Sequence, residues 1–343
     1  MFTTNNYLTG TNLKKINLTH GSDLDGIVCA YLFLEKYPDG AVFAFGSPIE
    51  AYNFYKEYLR NVELDNVYIT DLAQPYLYID LTNAGVSVTY IDHHLASFKE
   101  DLQNDINYNI NVEKSAAKIL WEYQGGIKKY QKLINLVEIR DLWLDDHPEW
   151  EKALKLNIIL KSIGKKKFLK LLTDKGDKIL WVVEKFEGLN ASERHKVNQY
   201  LKQLEFLQEK ACEKAEVEEQ GKIRWIYLKN NPVWLTPEWL SDIANYLIKT
   251  RFVDMVAVAT PVGKNTYRIN LRSKGGVKVN KIAEIFGGGG HPRAASFNYS
   301  SGAENIKNYL KRVLSNVSLE HIEEDLLINP ITLLKNWVAN RKI

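Results

Sequence analysis

Residues 16–26 read INLTHGSDLDG. The first part is a short apolar run of the kind that forms a buried strand, and a histidine, two aspartates and a glycine follow it directly. Gly26 is the residue type that a tight turn from a strand into a helix favours. The stretch therefore predicts a strand, a polar turn and a helix in succession.

The same alternation of strand and helix extends through the first third of the chain. Predicted strands lie at 16–20, 41–47, 66–72 and 86–92, and predicted helices at 26–37, 50–60, 76–84, 114–123 and 128–144. Strands that alternate with helices form a parallel sheet with helices on both faces. The predicted fold class is therefore α/β, with a doubly wound, mainly parallel sheet in the N-terminal domain.

Changes in composition divide the chain into four predicted segments. These are a first domain at 1–150, a helical connector at 151–220, a smaller α/β domain at 221–317 and a helical tail at 318–343. The connector lacks strand-like runs and is rich in Lys, Glu and Leu, which favour helices. In the smaller domain, strands are predicted at 222–229, 255–261, 266–273 and 294–299, and helices at 237–250 and 277–286.

Composition excludes several classes of protein. The 343 residues are 45% hydrophobic and 25% charged, as in ordinary folded chains, and no apolar run is long enough to cross a membrane. With no signal-like N-terminus, the sequence predicts a cytoplasmic protein. Cys29 and Cys212 are too few for a disulfide framework or a thiolate metal site. The net charge of +3 is too small for a general nucleic-acid coat, so any polyanion must bind locally.

Acidic and imidazole side chains follow three of the predicted strands: His20, Asp23, Asp25, Asp71, Asp92, His93 and His94. Ligand sites of parallel sheets lie at the carboxyl ends of the strands, so these groups are expected to meet at one edge. Carboxylates gathered there repel one another unless cations compensate, which predicts a pair of metal ions. Oxygen and imidazole donors without sulfur suit Mn²⁺, Mg²⁺ or Fe²⁺ better than structural zinc.

Individually, these residues have simpler interpretations. Asp25 or Asp71 alone could cap the helix that follows its strand, since aspartate is a preferred N-cap residue. His20 alone could be a hydrogen-bonded turn residue. The metal interpretation depends on the whole constellation.

Five segments resemble the motifs of one known family. They are THGSDLDG at 19–26, YITDLA at 68–73, YIDHH at 90–94, VEIRDLW at 137–143, and the stretch from YRINLRS to GGGGHPRAASF at 267–297. The first four resemble motifs I to IV of the DHH phosphoesterase superfamily, and the fifth is similar to the signature of the DHHA1 domain. The chain thus resembles DHH–DHHA1 phosphodiesterases, with the size and layout of nanoRNases (oligoribonuclease-like enzymes) and of dinucleotide hydrolases.

The resemblance implies two divalent metal ions, with Mn²⁺ preferred and Mg²⁺ or Fe²⁺ as alternatives. One ion would be held by His20 and Asp23, the other by Asp25, His93 and Asp141, with Asp71 between them. Asp92 would orient a ligating imidazole, and His94 would face the substrate phosphate. Without the family context, Asp141 would be interpreted as a solvated carboxylate or a partner of Arg140.

The resemblance also implies a substrate-binding set in the second domain: Arg272, Gly288, Gly289, Gly290, His291 and Arg293. Bare glycine backbone allows phosphate or sugar to approach main-chain N–H groups closely, although one glycine alone would be only a helix cap. An arginine can bind a phosphate through two N–H groups. Ser296 replaces the usual glycine of the signature, which requires a backbone without positive φ there.

These inferences predict hydrolysis by a water that two metal ions activate. The expected substrates are short single-stranded RNA or DNA and linear or cyclic dinucleotides, with nucleoside monophosphates as products. A RecJ-type single-strand-specific 5′ exonuclease is the first alternative, and a non-catalytic nucleotide-binding protein is the second. A pyrophosphatase would lack the GGGGH segment. No membrane partner is expected, and a homodimer is left open.

Overall fold

The computed structural model describes residues 6–176, 179, 182–183, 188–230, 232–274, 276–300 and 302–315. The chain divides into two compact units, Met1–Tyr200 and Leu201–Ile343. The helical tail predicted at 318–343 lies outside the described residues. Within the described ranges, no helix is long and apolar enough to span a bilayer.

Within its described residues, the first unit contains one sheet of six strands. They are β1 (Tyr7–Thr9), β2 (Asn12–His20), β3 (Gly40–Phe45), β4 (Asn66–Thr70), β5 (Ser87–Asp92) and β6 (Tyr108–Ile110), in the order β1-β3-β2-β4-β5-β6. The pairs are parallel except that β1 runs antiparallel to β3 at one edge. The prediction of a mainly parallel α/β sheet is confirmed.

Helices cover both faces of this sheet. They are α1 (Leu24–Lys36), α2 (Pro48–Phe54, continued by a π-helix at Tyr55–Leu59), α3 (Pro75–Asn83), α4 (Ala116–Tyr123), α5 (Gln131–Asp141), α6 (Trp150–Ile163) and α7 (Lys165–Lys175). Short 3₁₀ turns lie at Leu95–Ser97, Glu100–Leu102 and Lys128–Tyr130. Helices α2 and α3 share one buried apolar cluster with strand residues such as Leu18, whereas α1 and α4 to α7 share the other with residues such as Val42. This is the doubly wound arrangement, which brings the polar turns after the strands to one edge.

The second unit is a mixed sheet with helices. Helix α8 (Ala191–Lys214) contains the boundary between the two units. It is followed by β7 (Val217–Gln220), β8 (Ile223–Lys229), α9 (Pro237–Arg251), β9 (Met255–Gly263), β10 (Thr266–Ser273), α10 (Val279–Ile285), β11 (Gly289–His291), β12 (Ala294–Tyr299) and α11 (Ala303–Ser315). The strand order is β11-β12-β10-β9-β8-β7, and only β8 and β9 pair in parallel among these strands. One face packs on α10 and α11.

One prediction for this unit is wrong in detail, and one strand was not predicted. Val217–Gln220 lies in the predicted helical connector but forms an edge strand, paired with β8 across a turn at Gly221, whose φ is 59°. Glu218 on this strand contacts Lys307 and Lys311 of α11 at 2.5 and 2.7 Å, and this long-range pairing stabilises an extended segment that has little strand propensity of its own. The strand that was not predicted is β11, which contains part of the glycine run.

Candidate active site

The structure brings the predicted residues of the first unit together at the carboxyl edge of its sheet: His20, Asp23, Asp25, Asp71, Asp92, His93, His94 and Asp141. The first seven lie at or just after the carboxyl ends of β2, β4 and β5, and Asp141 is the last residue of α5. Helix α5 therefore adds a carboxylate that the strand pattern alone would not place there.

The turn after β2 fixes two of the aspartates. A Cβ at Gly26 would lie 2.1 Å from the carbonyl oxygen of His20, so only glycine fits. Asp23 caps α1, since its Oδ1 accepts from the N–H of Gly26 at 3.2 Å, while its Oδ2 lies 2.6 Å from His20 Nδ1. Asp23 can therefore cap α1 and also belong to the cluster, because each of its oxygens makes one of the two contacts.

Asp25 is buried in the first turn of α1, but its carboxylate binds a different helix, α4. Its two oxygens accept from the N–H groups of Ala116 and Ala117, at 2.7 and 2.8 Å, in the first turn of α4. A carboxylate at a helix N-terminus is stabilised by the helix dipole. These contacts, which the sequence does not reveal, hold the Asp25 carboxylate rigidly, with Oδ2 3.9 Å from His93 Nε2.

Asp71 lies between two groups of side chains. Its Oδ2 is 3.6 Å from His20 Nδ1, and its Oδ1 is 3.3 Å from His93 Nε2. Two separate groups each offer ligand atoms within 4.8 Å of one another. The first consists of His20, Asp23 and Asp71, and the second of Asp25, His93 and Asp141. Asp71 also has a φ of 57°, a left-handed conformation that is strained for a residue other than glycine.

Asp92 is fully buried, and protein donors occupy both its oxygens. Oδ1 accepts from the N–H of His93 at 2.7 Å and contacts His94 Nδ1 at 2.7 Å. Oδ2 accepts from the N–H of Ala73 at 2.7 Å and from the hydroxyl of Ser97. Asp92 therefore has the surroundings of a residue that orients others, and the imidazole that it holds is His94.

The donors to Asp92 were not predicted from the sequence. Ala73 acts through its backbone, which no side-chain pattern reveals. Tyr90, whose hydroxyl lies 3.2 Å from Asp92 Oδ2, precedes it by two residues on β5, and side chains at that spacing share one face of a strand. The two-residue spacing of Tyr90 and Asp92 was the sequence signal that could have predicted their contact.

Burial and opposing charges set the protonation of the cluster. Burial would lower the pKa of His20, but the charge of Asp23 outweighs it and raises the pKa to about 12. Likewise, Asp141 and Asp71 overcome burial and raise the pKa of His93 to about 11. Burial raises the pKa of Asp141 to about 6 and that of Asp25 well above its ordinary value. Positive charge therefore stabilises the carboxylates of the cluster, and the protonated imidazoles of His20 and His93 supply it.

The donor chemistry fits a divalent metal ion. Asp71 Oδ2 and Asp141 Oδ2 are buried, and neither accepts a hydrogen bond from the part of the chain that the structure describes. Such oxygens, together with imidazole nitrogens, are the ligands that Mn²⁺ and similar ions accept. Cys29 is no thiolate candidate, because burial raises the pKa of its thiol.

The predicted substrate-binding residues lie in the second unit. Arg272 on β10 donates to Ser241 Oγ of α9 at 2.6 Å and to the carbonyl of Leu271 at 2.8 Å. Ser241 was not anticipated from the sequence, because its role depends on how α9 packs on the sheet. His291 ends β11, and Arg293 lies in the turn to β12, where its carbonyl accepts from the N–H of Ser273.

The structure requires glycine at some positions of the glycine run but not at others. A Cβ at Gly288 would lie 2.3 Å from the carbonyl oxygen of Ser296, and Gly290 has a φ of 140°. A Cβ at Gly289 would meet nothing within 4 Å, so packing does not require glycine there. Ser296 lies in extended β12 without positive φ, as predicted, and its Oγ accepts from Arg268.

Residues 233–318 match the DHHA1 domain family. The chain therefore carries a DHHA1 domain. The uncharacterized protein R106 of Acanthamoeba polyphaga mimivirus is 26% identical over 271 residues, which cover 72% of this chain and 56% of the relative, so the chain spans just over half of that relative's length.

Three solved structures have a similar fold. The pGpG-specific phosphodiesterase PggH of Vibrio cholerae superposes with a TM-score of 0.55 at 17% identity, covering 88% of this chain and 99% of its own. Exonuclease RecJ bound to manganese gives 0.55 at 15% identity, covering 92% and 94%. A DHH domain described as belonging to a family of ribosomal proteins gives 0.61 at 15%, covering 88% and 87%. The predicted DHHA1 domain and the α/β fold class are confirmed.

Proposed function

We propose that this chain is a metal-dependent phosphodiesterase that hydrolyses short oligonucleotides or dinucleotides to nucleoside monophosphates. The observation that carries the proposal is the position of Asp71 between two groups of potential ligands. His20 and Asp23 would hold one divalent ion, and Asp25, His93 and Asp141 the other, with Asp71 contacting both. PggH and RecJ, which share the fold, are named for phosphodiester hydrolysis.

Divalent ions bound there would supply an activated water and neutralise phosphate charge. The chain's own residues provide the frame. Asp92, held by Ala73 and Ser97, fixes the ring of His94, which is partly exposed and would contact the substrate phosphate. Asp25, whose carboxylate accepts from two N–H groups at the N-terminus of α4, would be held in position to bind one of these ions.

In the second unit, Arg272, the segment 288–290, His291 and Arg293 would bind the substrate. Ser241 fixes one guanidinium nitrogen of Arg272, so the side chain loses less conformational entropy when it binds a phosphate. Gly289 supports this assignment, because it is exposed and no neighbouring atom excludes a side chain there. A glycine that packing does not require leaves the main chain accessible to a ligand.

A substrate panel tests the function directly. The panel with Mn²⁺ contains RNA and DNA from dinucleotides to decamers, cyclic dinucleotides and pyrophosphate. We expect hydrolysis of the shortest oligonucleotides to monophosphates. Preference for decamers would replace our proposal by a RecJ-type exonuclease, pyrophosphate hydrolysis alone would indicate a pyrophosphatase, and binding without hydrolysis would indicate a non-catalytic nucleotide-binding protein.

A further inference from the structure

Two exposed aromatic side chains lie beside the cluster of the first unit. Tyr76, in the first turn of α3, is 57% exposed, and Phe98, directly after the 3₁₀ turn that follows β5, is 52% exposed. Single exposed apolar residues are common on protein surfaces. These two differ because both follow strands whose carboxyl ends supply residues of the cluster.

The same buried carboxylate holds both segments. Asp92 Oδ2 accepts from the N–H of Ala73, three residues before Tyr76, and from the hydroxyl of Ser97, the residue before Phe98. Three residues span at most about 11 Å, and adjacent Cα atoms are about 3.8 Å apart. The backbones of Tyr76 and Phe98 therefore lie within about a nucleotide's length of Asp92.

A cation completes this surface. The Nζ of Lys99 lies 5.0 Å from the centre of the Tyr76 ring, which joins the segment after β5 to the start of α3. The chain thus presents two exposed rings, on segments that Asp92 holds, and an ammonium group near the proposed site for phosphodiesters. Aromatic faces bind bases by stacking, and lysine attracts backbone phosphate.

We propose that Tyr76 and Phe98 form a stacking platform for a nucleobase next to the scissile phosphate, with Lys99 attracting the neighbouring backbone phosphate. This inference rests on the proposed function and adds a base-binding subsite within the first unit. Because every base has an aromatic face, the platform accepts any base and increases affinity without selecting sequence.

Equilibrium binding tests the platform without relying on turnover. The probe is a dinucleotide that carries 2-aminopurine and a non-hydrolysable methylene linkage, added to the full chain with Mg²⁺. We expect its fluorescence to be quenched on binding, and Tyr76→Ala or Phe98→Ala to weaken binding about 5- to 150-fold, the range for loss of one stacking contact. Tyr76→Phe retains the ring and should bind like the wild type.

Matched controls separate stacking from general damage. Tyr58→Ala and Phe206→Ala remove exposed rings, 43% and 56% exposed, from other helical segments and should leave binding unchanged. With a probe that lacks the base, the penalties of Tyr76→Ala and Phe98→Ala should disappear. If the wild type binds and hydrolyses dinucleotides but the platform variants match the controls, the platform is refuted while the function stands. If the wild type neither binds nor hydrolyses any nucleotide, the proposed function fails, and the platform with it.

Discussion

Asp71 is the residue on which the cluster depends most, because its two carboxylate oxygens face different histidines. We expect Asp71→Ala to abolish hydrolysis of dinucleotides and tight binding of Mn²⁺, since both proposed ions lose a ligand. Activity assays and titration calorimetry with Mn²⁺ measure the two effects. Asp65→Ala, which removes an exposed aspartate before β4, is the matched control and should change neither.

Substitution of Asp92 should reduce activity less than substitution of Asp71. Asp92 orients His94 and is not expected to contact metal, so Asp92→Asn should reduce activity only about 10- to 100-fold, the usual cost of losing such a partner. Near-normal turnover in Asp71→Ala, or activity that survives thorough chelation, would refute the metal-dependent site.

At the scale of elements, substitutions at two neighbouring glycines of β11 and the turn before it distinguish an effect on stability from an effect on substrate binding. Gly288→Ala should lower the melting temperature, because the new Cβ would lie 2.3 Å from a backbone oxygen. Gly289→Ala should leave the melting temperature unchanged but raise KM for dinucleotides, because its space is open and the substrate would use it. Calorimetry and steady-state kinetics on both variants provide the comparison.

Gly263→Ala is the control for the glycine pair. It lies at the end of β9, and the nearest atom to a Cβ there is 3.8 Å away, so neither stability nor KM should change. A Gly289→Ala variant with wild-type KM would remove that residue from the proposed substrate site.

The stability of the edge strand β7 depends on the ion pairs of Glu218. Burial would raise the pKa of Glu218, but hydrogen bonds and charges from Lys307 and Lys311 outweigh it and lower the pKa. A lowered pKa in the folded state stabilises the protein above the ordinary glutamate value of about 4.3, and this stabilisation is lost as the pH falls through the lowered pKa. We therefore expect Glu218→Gln to lower the melting temperature at pH 7, and the penalty to shrink progressively as the pH falls below about 4.3.

Melting temperatures between pH 7 and pH 3 test this charge effect. Glu304→Gln removes the partner of Lys229 in a more exposed pair, 3.5 Å apart, and should have a smaller effect. A Glu218→Gln penalty that persists unchanged at pH 3 would mean that packing, and not charge, holds β7.

The sequence predicted the elements that carry their own pattern. The four strands that alternate with helices in the first unit were predicted because their apolar runs are buried on both faces. Strands β1 and β6 span three residues each, too few for a recognisable period, and β7 exists through its partners. The site follows the same division: acidic and imidazole side chains after strands were predictable, whereas the contacts of Asp25 with α4 and of Arg272 with Ser241 arise only from packing.

At the scale of the whole molecule, the proposal assigns different tasks to the two units. The cluster of the first unit would hydrolyse any phosphodiester that binds to it, so selection of short nucleotides must involve other residues. Arg272 is the strongest candidate, since a charge-assisted hydrogen bond contributes about 1.5–3 kcal/mol. Arg272→Ala should therefore lower kcat/KM on dinucleotides roughly 10- to 150-fold.

A small activated diester separates the two tasks. Bis-p-nitrophenyl phosphate has no nucleoside for the second unit to bind, so Arg272→Ala should hydrolyse it at nearly the wild-type rate. Arg272→Lys retains the charge but loses the two-pronged geometry, and its dinucleotide activity should remain reduced. Arg268→Ala removes an exposed arginine from the same strand and is the matched control. If Arg272→Ala reduces both reactions equally, the arginine supports the fold or the metal cluster, and selectivity must come from elsewhere, with the aromatic platform of the first unit as the next candidate.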